Sequence, residues 1–169
     1  MNQGAYRVDL VVFDVAGTTV LDGDAVLECL IGALEPQLDV TLDAVKGVMG
    51  LPKPVAIRSL LAAEGSWSDD RLNGLVDEVH RSFREAIIER YRQDDTVVVA
   101  PGAERVFESL RRADIRVALD TGFSRDILDT LMGRLGWGSS GPIDVSVASD
   151  EVERGRPFPD LIQRCSGWA

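Results

Sequence analysis

Three short apolar runs punctuate the chain: Val8 to Asp14 (VDLVVFD), Ile115 to Asp120 (IRVALD) and Ile143 to Ala148 (IDVSVA). All are rich in Val and Ile, the pattern of strands buried on both faces of a parallel sheet. Segments of a different period separate them. Pro101-Gly102 opens one in which Val106, Phe107, Leu110 and Ala113 recur at helical spacing, and Ser124 opens another with Ile127, Leu128, Leu131 and Leu135. Strand and helix alternate, as in a doubly wound, Rossmann-like α/β sheet, whose ligands bind beyond the carboxyl ends of the strands.

About 100 residues lie between the first two strands, far more than a crossover needs. Within them Leu72, Leu75, Val76, Val79, Phe83 and Ile87 keep helical spacing, behind Ser68 as N-cap and Asp69 and Asp70 in the first turn. Asp24 to Leu34, Leu42 to Met49 and Val55 to Ala63 read as further helices. The expected division is an α/β core made of residues 1–20 and 97–169, with a helical cap of residues 21–96 inserted into it.

Composition narrows the possibilities. At 169 residues the chain has room for one core and a modest insertion. No apolar run approaches the length of a bilayer span, and MNQGAYRVDL carries neither a basic segment nor an apolar signal core, so the expectation is a cytoplasmic protein with no membrane partner. A net charge of -10 argues against a nucleic-acid partner and means that an anionic substrate needs a divalent metal or a few aimed cations. Cys29 and Cys165 are too few and too far apart for a disulfide framework or a zinc site. His80, the single histidine, sits inside the longest helical stretch, so any Ser/His or Cys/His triad would have to be built on it, and that class is set aside.

Three residues fall at or just beyond the three strand ends: Asp14, Thr121 and Arg156. A carboxylate such as Asp14 attacks phosphorus without first losing a proton at neutral pH. The turn Gly17-Thr18-Thr19 offers N–H groups and hydroxyls to phosphoryl oxygens, and Thr121-Gly122 leads towards a helix N-terminus suited to an anion. Arg156 lies in GRPFPD, where Pro157 and Pro159 stiffen the loop that presents the guanidinium.

FDVAGTTV, MGLPKPVAIRSLL, PGAERVFESLRRADIRVALDTGF and GRPFPDLI together resemble the haloacid dehalogenase superfamily of phosphoryl-transfer hydrolases, and within it the phosphonatase-like branch. The resemblance implies that Asp14 becomes an aspartyl phosphate, that Thr121 and Arg156 hold the phosphoryl group, and that Mg2+ binds Asp14 and the Ala16 carbonyl. It also implies a use for Lys53, as the amine that forms an imine with an aldehyde substrate. In the phosphomonoesterases of this superfamily a second carboxylate protonates the leaving alkoxide, and here that position is Ala16. A carbon leaving group stabilised by a lysine imine does not need it.

Lys53 precedes Pro54 at the start of a helix whose positive end disfavours an ammonium. Arg58, further along the same helix, is a further cation for the substrate. Two departures accompany the resemblance. Phosphonoacetaldehyde hydrolase has a histidine three residues after its lysine, where this chain has Ala56. The superfamily also continues beyond GRPxPD into a strand and an acidic metal-binding loop, so the expectation is a core incomplete at its C-terminus. Asp150, Glu151 and Glu153 are the nearby acids that could substitute as ligands. The first strand would then show an unpaired apolar edge, inviting self-association into a homo-oligomer. Beside the phosphonatase reading stand a phosphomonoesterase and a non-catalytic binding module.

Overall fold

The computed structural model describes residues 7–167; the expected core segments at residues 1–6 and 168–169 lie outside it. The three apolar runs form β1 (Leu10–Asp14), β4 (Arg116–Asp120) and β5 (Val145–Val147), a parallel sheet in the order β1-β4-β5. Side chains alternate across it, as successive strand residues must. Phe13, Val117 and Leu119 face one hydrophobic cluster, whereas Leu10, Val12, Ala118, Val145 and Val147 face another. Helices cover both faces, which is why the strands read as continuous apolar runs. On the first face, Phe107 of α5 (Ala103–Arg112) meets the Phe13 ring edge-on at 5.3 Å and the Trp137 ring at 5.5 Å. On the second, α7 (Asp160–Gly167) buries Leu161 and Cys165.

The strand register decides where the chemistry sits. Asp14 pairs with Asp120, and Asp120 with Val147, so two carboxylates stand side by side at the carboxyl end of the sheet. β1 has β4 on one side, and among the described residues no strand pairs with its other edge.

Two strands of two residues each, β2 (Val20–Leu21) and β3 (Val98–Val99), pair antiparallel and bring the two ends of the helical insertion together. Between them lie α1 (Ala25–Leu34), α2 (Leu42–Gly47), α3 (Lys53–Glu64) and α4 (Asp69–Gln93). Ser68 accepts from Arg71 N at the start of α4, and Leu75, Val76, Val79, Phe83, Ile87 and Tyr91 form its buried stripe. α1 and α3 pack on α4, and α4 packs in turn on α6 (Arg125–Arg134) of the core. An ion pair between Arg84 and Asp126 ties α4 to α6. α3 starts at Lys53, two residues before the expected Val55, because a proline in the first turn of a helix lacks only an N–H that has no helical partner. No helix of the described residues is long and apolar enough to cross a membrane.

Candidate active site

A cavity of about 290 Å³ opens where the sheet's carboxyl end meets the insertion. Asp14, Ala16, Lys53, Thr121, Gly122 and Arg156 all line it, together with Phe123 and the loop Met49 to Leu51. Core and insertion both contribute: Asp14 ends β1, Thr121 follows β4, and Lys53 is the first residue of α3. A groove of about 350 Å³ beside Trp137 is larger, but its carboxylates Asp129 and Asp144 already face Arg125 and Arg111.

Arg156 organises the charges. Its Nη2 lies 2.8 Å from Asp14 Oδ1 and also donates to the Asp120 carboxylate, with the Asp120 carbonyl at 3.4 Å. Asp14 remains open to the cavity, its side chain 35% exposed, while that of Asp120 is 7% exposed. The segment carrying Arg156 is seated against the insertion, because Gly155 presses on Pro52; a methyl group on Gly155 would lie 2.5 Å from the proline ring. The residues on either side of that contact are Arg156 and Lys53.

Lys53 is 4% exposed, and its ammonium lies 5.9 Å from the centroids of both Phe83 and Phe123. Burial is the main cause that lowers its pKa from 10.5 to about 8; the nearby Asp14 opposes this and Arg156 adds to it. The helix N-terminus was the reason available from sequence, but the larger effect is desolvation between two aromatic rings.

The turn after β1 behaves differently from expectation. Gly17 N donates to Val20 O, and Thr18 N and Thr19 N both donate to Val15 O, so the turn consumes these donors itself. Gly17 holds the turn with a φ of 76°, a conformation that favours glycine. What the turn offers the site is the Thr18 hydroxyl, 3.3 Å from Asp14 Oδ2. Thr121 is buried, and its Oγ1 accepts from Phe123 N at 3.2 Å. The N-terminus of α6 does not open onto the cavity lining: Arg125 N donates to Asp150 Oδ1 at 2.9 Å. Gly122 lies against the Gly50-Leu51 backbone, where an added methyl would touch the Leu51 carbonyl at 3.4 Å.

Arg58 does not join the site. It is exposed and donates to Asn73 Oδ1 on α4. Asp150 caps α6, and Glu151 binds Arg125 and accepts from Ala148 N at 2.7 Å, so these two acids serve the loop rather than the cavity. Glu153 is exposed. His80 is half-buried on α4 and does not line the cavity, and both cysteines are free thiols.

Two functional candidates escaped sequence reasoning. Asp120 looked like the last residue of a strand, and only its register with Asp14 shows its place. Asp22 is 5% exposed, accepts from the Tyr91 hydroxyl at 2.8 Å, and lines an adjoining cavity that shares Ala16, Val26 and Met49 with the first. Burial pushes its carboxyl pKa up.

Among the described residues no group of three or more His, Cys, Asp or Glu is gathered for a metal. Asp14 and Ala16 nevertheless line one cavity, and a carboxylate and a backbone carbonyl are hard oxygen donors. Magnesium takes such donors, one or two carboxylates at a time, with substrate phosphoryl oxygens and water completing its shell.

A family model of haloacid dehalogenase-like hydrolases matches residues 8–165. Phosphonoacetaldehyde hydrolase of Bacillus cereus (strain G9842) is 29% identical over 162 residues, covering 90% of this chain and 60% of the relative. The enzyme of the same name from Paraburkholderia phytofirmans is 28% identical over 167 residues, covering 94% and 61%. The chain thus spans about three fifths of the length of these relatives. A phosphonoacetaldehyde hydrolase-like protein from Oleispira antarctica superposes with a TM-score of 0.75 at 22% identity, over 95% of this chain and 60% of that one, and so shares its fold.

Proposed function

The chain belongs to the haloacid dehalogenase-like hydrolases, and on that premise we propose that it cleaves a small phosphonate, with Asp14 as nucleophile and Lys53 as the imine-forming amine. One observation carries the reading: a buried lysine with a pKa of about 8 faces the same cavity as a strand-end carboxylate. At neutral pH about a tenth of such a lysine is free amine, against less than about 0.1% at the ordinary value.

The Lys53 amine adds to the aldehyde of the substrate and expels water, leaving a protonated imine. Asp14 then attacks phosphorus. The carbon-phosphorus bond breaks, its electron pair moves into the imine as an enamine, and the phosphoryl group stays on Asp14. Protonation of the enamine carbon and hydrolysis of the imine release the aldehyde; a second water hydrolyses the aspartyl phosphate. Arg156 and the Thr121 hydroxyl hold the phosphoryl oxygens and offset developing charge. Magnesium, held by Asp14 and the Ala16 carbonyl, would supply further charge neutralisation when bound. The α1 to α4 insertion acts as the cap, since it delivers Lys53 and closes one wall of the cavity.

Ala16 suits this reading, because the departing carbon is stabilised through Lys53 and no alkoxide has to be protonated. Ala56 favours the second reading, a phosphomonoesterase using Asp14 alone.

The test is phosphate release by the purified chain with magnesium, from phosphonoacetaldehyde and from simple phosphate esters. Release from the phosphonate should fall by at least about a thousandfold in both Asp14→Asn and Lys53→Ala. Ester hydrolysis that survives Lys53→Ala would favour the phosphomonoesterase, and no release from either substrate would overturn both.

A further inference from the structure

Two carboxylates compete for one guanidinium nitrogen at the end of the sheet. Asp14 Oδ1 and the Asp120 carboxylate both contact Arg156 Nη2, and only Asp14 is needed elsewhere, by the phosphorus it attacks and by magnesium. From this arrangement we infer that Asp120 is the positioning residue for Arg156: it keeps the guanidinium at the strand ends when Asp14 is taken up by phosphoryl group or cation. The inference deepens the proposed function and rests on it.

Three features separate the two partners. Asp120 is the less exposed carboxylate, 7% against 35%, so its link to Arg156 is screened less by solvent. It holds Nη2 through its carboxylate and through its own backbone carbonyl, whereas Asp14 holds it through one oxygen. It is also fixed in the middle strand of the sheet, opposite Asp14 in register. When Asp14 exchanges the guanidinium for a phosphoryl group, Arg156 therefore keeps a partner that does not move.

The sign of Asp120's effect makes the inference testable. A bare carboxylate beside a phosphoryl site repels the ligand, so its removal would tighten binding. As the anchor of Arg156 it has the opposite effect. The probe is magnesium with beryllofluoride, which mimics a phosphoryl group on a nucleophilic aspartate, its affinity for the purified chain read from the rise in unfolding temperature. Asp120→Ala is expected to bind at least about tenfold more weakly, and Asp120→Asn, which keeps an acceptor for Nη2, to recover part of that loss. In an Arg156→Ala background, where Asp120 is left as a bare carboxylate beside the site, its substitutions should no longer weaken binding and should tighten it if they change it at all.

Equal or tighter binding by Asp120→Ala would overturn the inference alone, provided that the wild-type response disappears in Asp14→Asn. The same fold-loss with and without Arg156 would also overturn it, since Asp120 would then act by another route. A wild-type chain that gives no Asp14-dependent response would overturn the phosphoryl-site reading and the inference with it.

Discussion

Replacing Lys53 by Met should stabilise the fold near neutral pH and lose that advantage in alkali. The pKa of Lys53 falls from 10.5 to about 8 on burial, a difference equivalent to about 3 kcal/mol. Below pH 8 the lysine is protonated in folded and unfolded chains alike, and the whole cost of burying the ammonium is present. Between pH 8 and 10.5 the folded chain gives up its proton first. The unfolded state then binds more protons, so stability climbs with pH and the cost disappears near 10.5.

Lys53→Met keeps much of the side-chain volume between Phe83 and Phe123 and has no proton to lose. It should exceed the wild type by up to about 3 kcal/mol at pH 7, the gap closing by pH 10.5. Other groups titrate in alkali: burial pushes Cys165 up to about 11, which lowers stability as pH rises past 9. That change is common to both proteins and cancels in their difference. Urea unfolding across this pH range, followed by tryptophan fluorescence, measures the gap directly. A difference that stays constant with pH would refute the argument that Lys53 is held as a poorly solvated cation.

Gly155→Ala puts a methyl group against the Pro52 ring, and it should cost about 1–3 kcal/mol and lower phosphonate turnover by displacing Arg156 or Lys53; unfolding and phosphate-release assays read the two effects. Tyr91→Phe removes the hydroxyl that donates to buried Asp22 and should destabilise by about 1–3 kcal/mol at pH 7. Because burial raises the Asp22 pKa, its penalty is relieved as pH falls towards 3.8, so urea melts in acid should show the Tyr91→Phe loss shrinking. Arg58→Ala should leave turnover unchanged and alter stability by no more than about 0.5 kcal/mol, since Arg58 is exposed and bonds only with Asn73 among the polar contacts described for it; a substantial rise in KM would return it to the site.

How far the fold was legible depended on the length of each element. β1, β4 and the α4 stripe declared themselves because five or more residues repeated one pattern. The two-residue strands β2 and β3 have no period to detect, and α7 is an eight-residue helix that the Pro159-Asp160 junction concealed. Asp14, Lys53, Thr121 and Arg156 were named from the sequence, and they do meet in one cavity. Their partners were not accessible in the same way. Asp120 needed the strand register, Tyr91 lies 69 residues from Asp22, and the Gly155 to Pro52 contact joins core to insertion across most of the chain. Arg58 was misplaced by proximity along the helix. Five residues beyond Lys53 a helix has turned away by about 140°, whereas Ala56 and Ile57 share its buried face.

The central claim, that Lys53 is an amine nucleophile facing Asp14, is tested most directly by reductive trapping. The chain has two lysines, Lys46 and Lys53, so a modified position is assigned without ambiguity. Lys46 is exposed, and burial separates the two in reactivity. The chain is incubated with phosphonoacetaldehyde and borohydride at neutral pH, then mapped by peptide mass spectrometry. The expected result is an N-alkylated Lys53 and an unmodified Lys46. Label on Lys46 alone, equal label on both lysines, or none on either would contradict it.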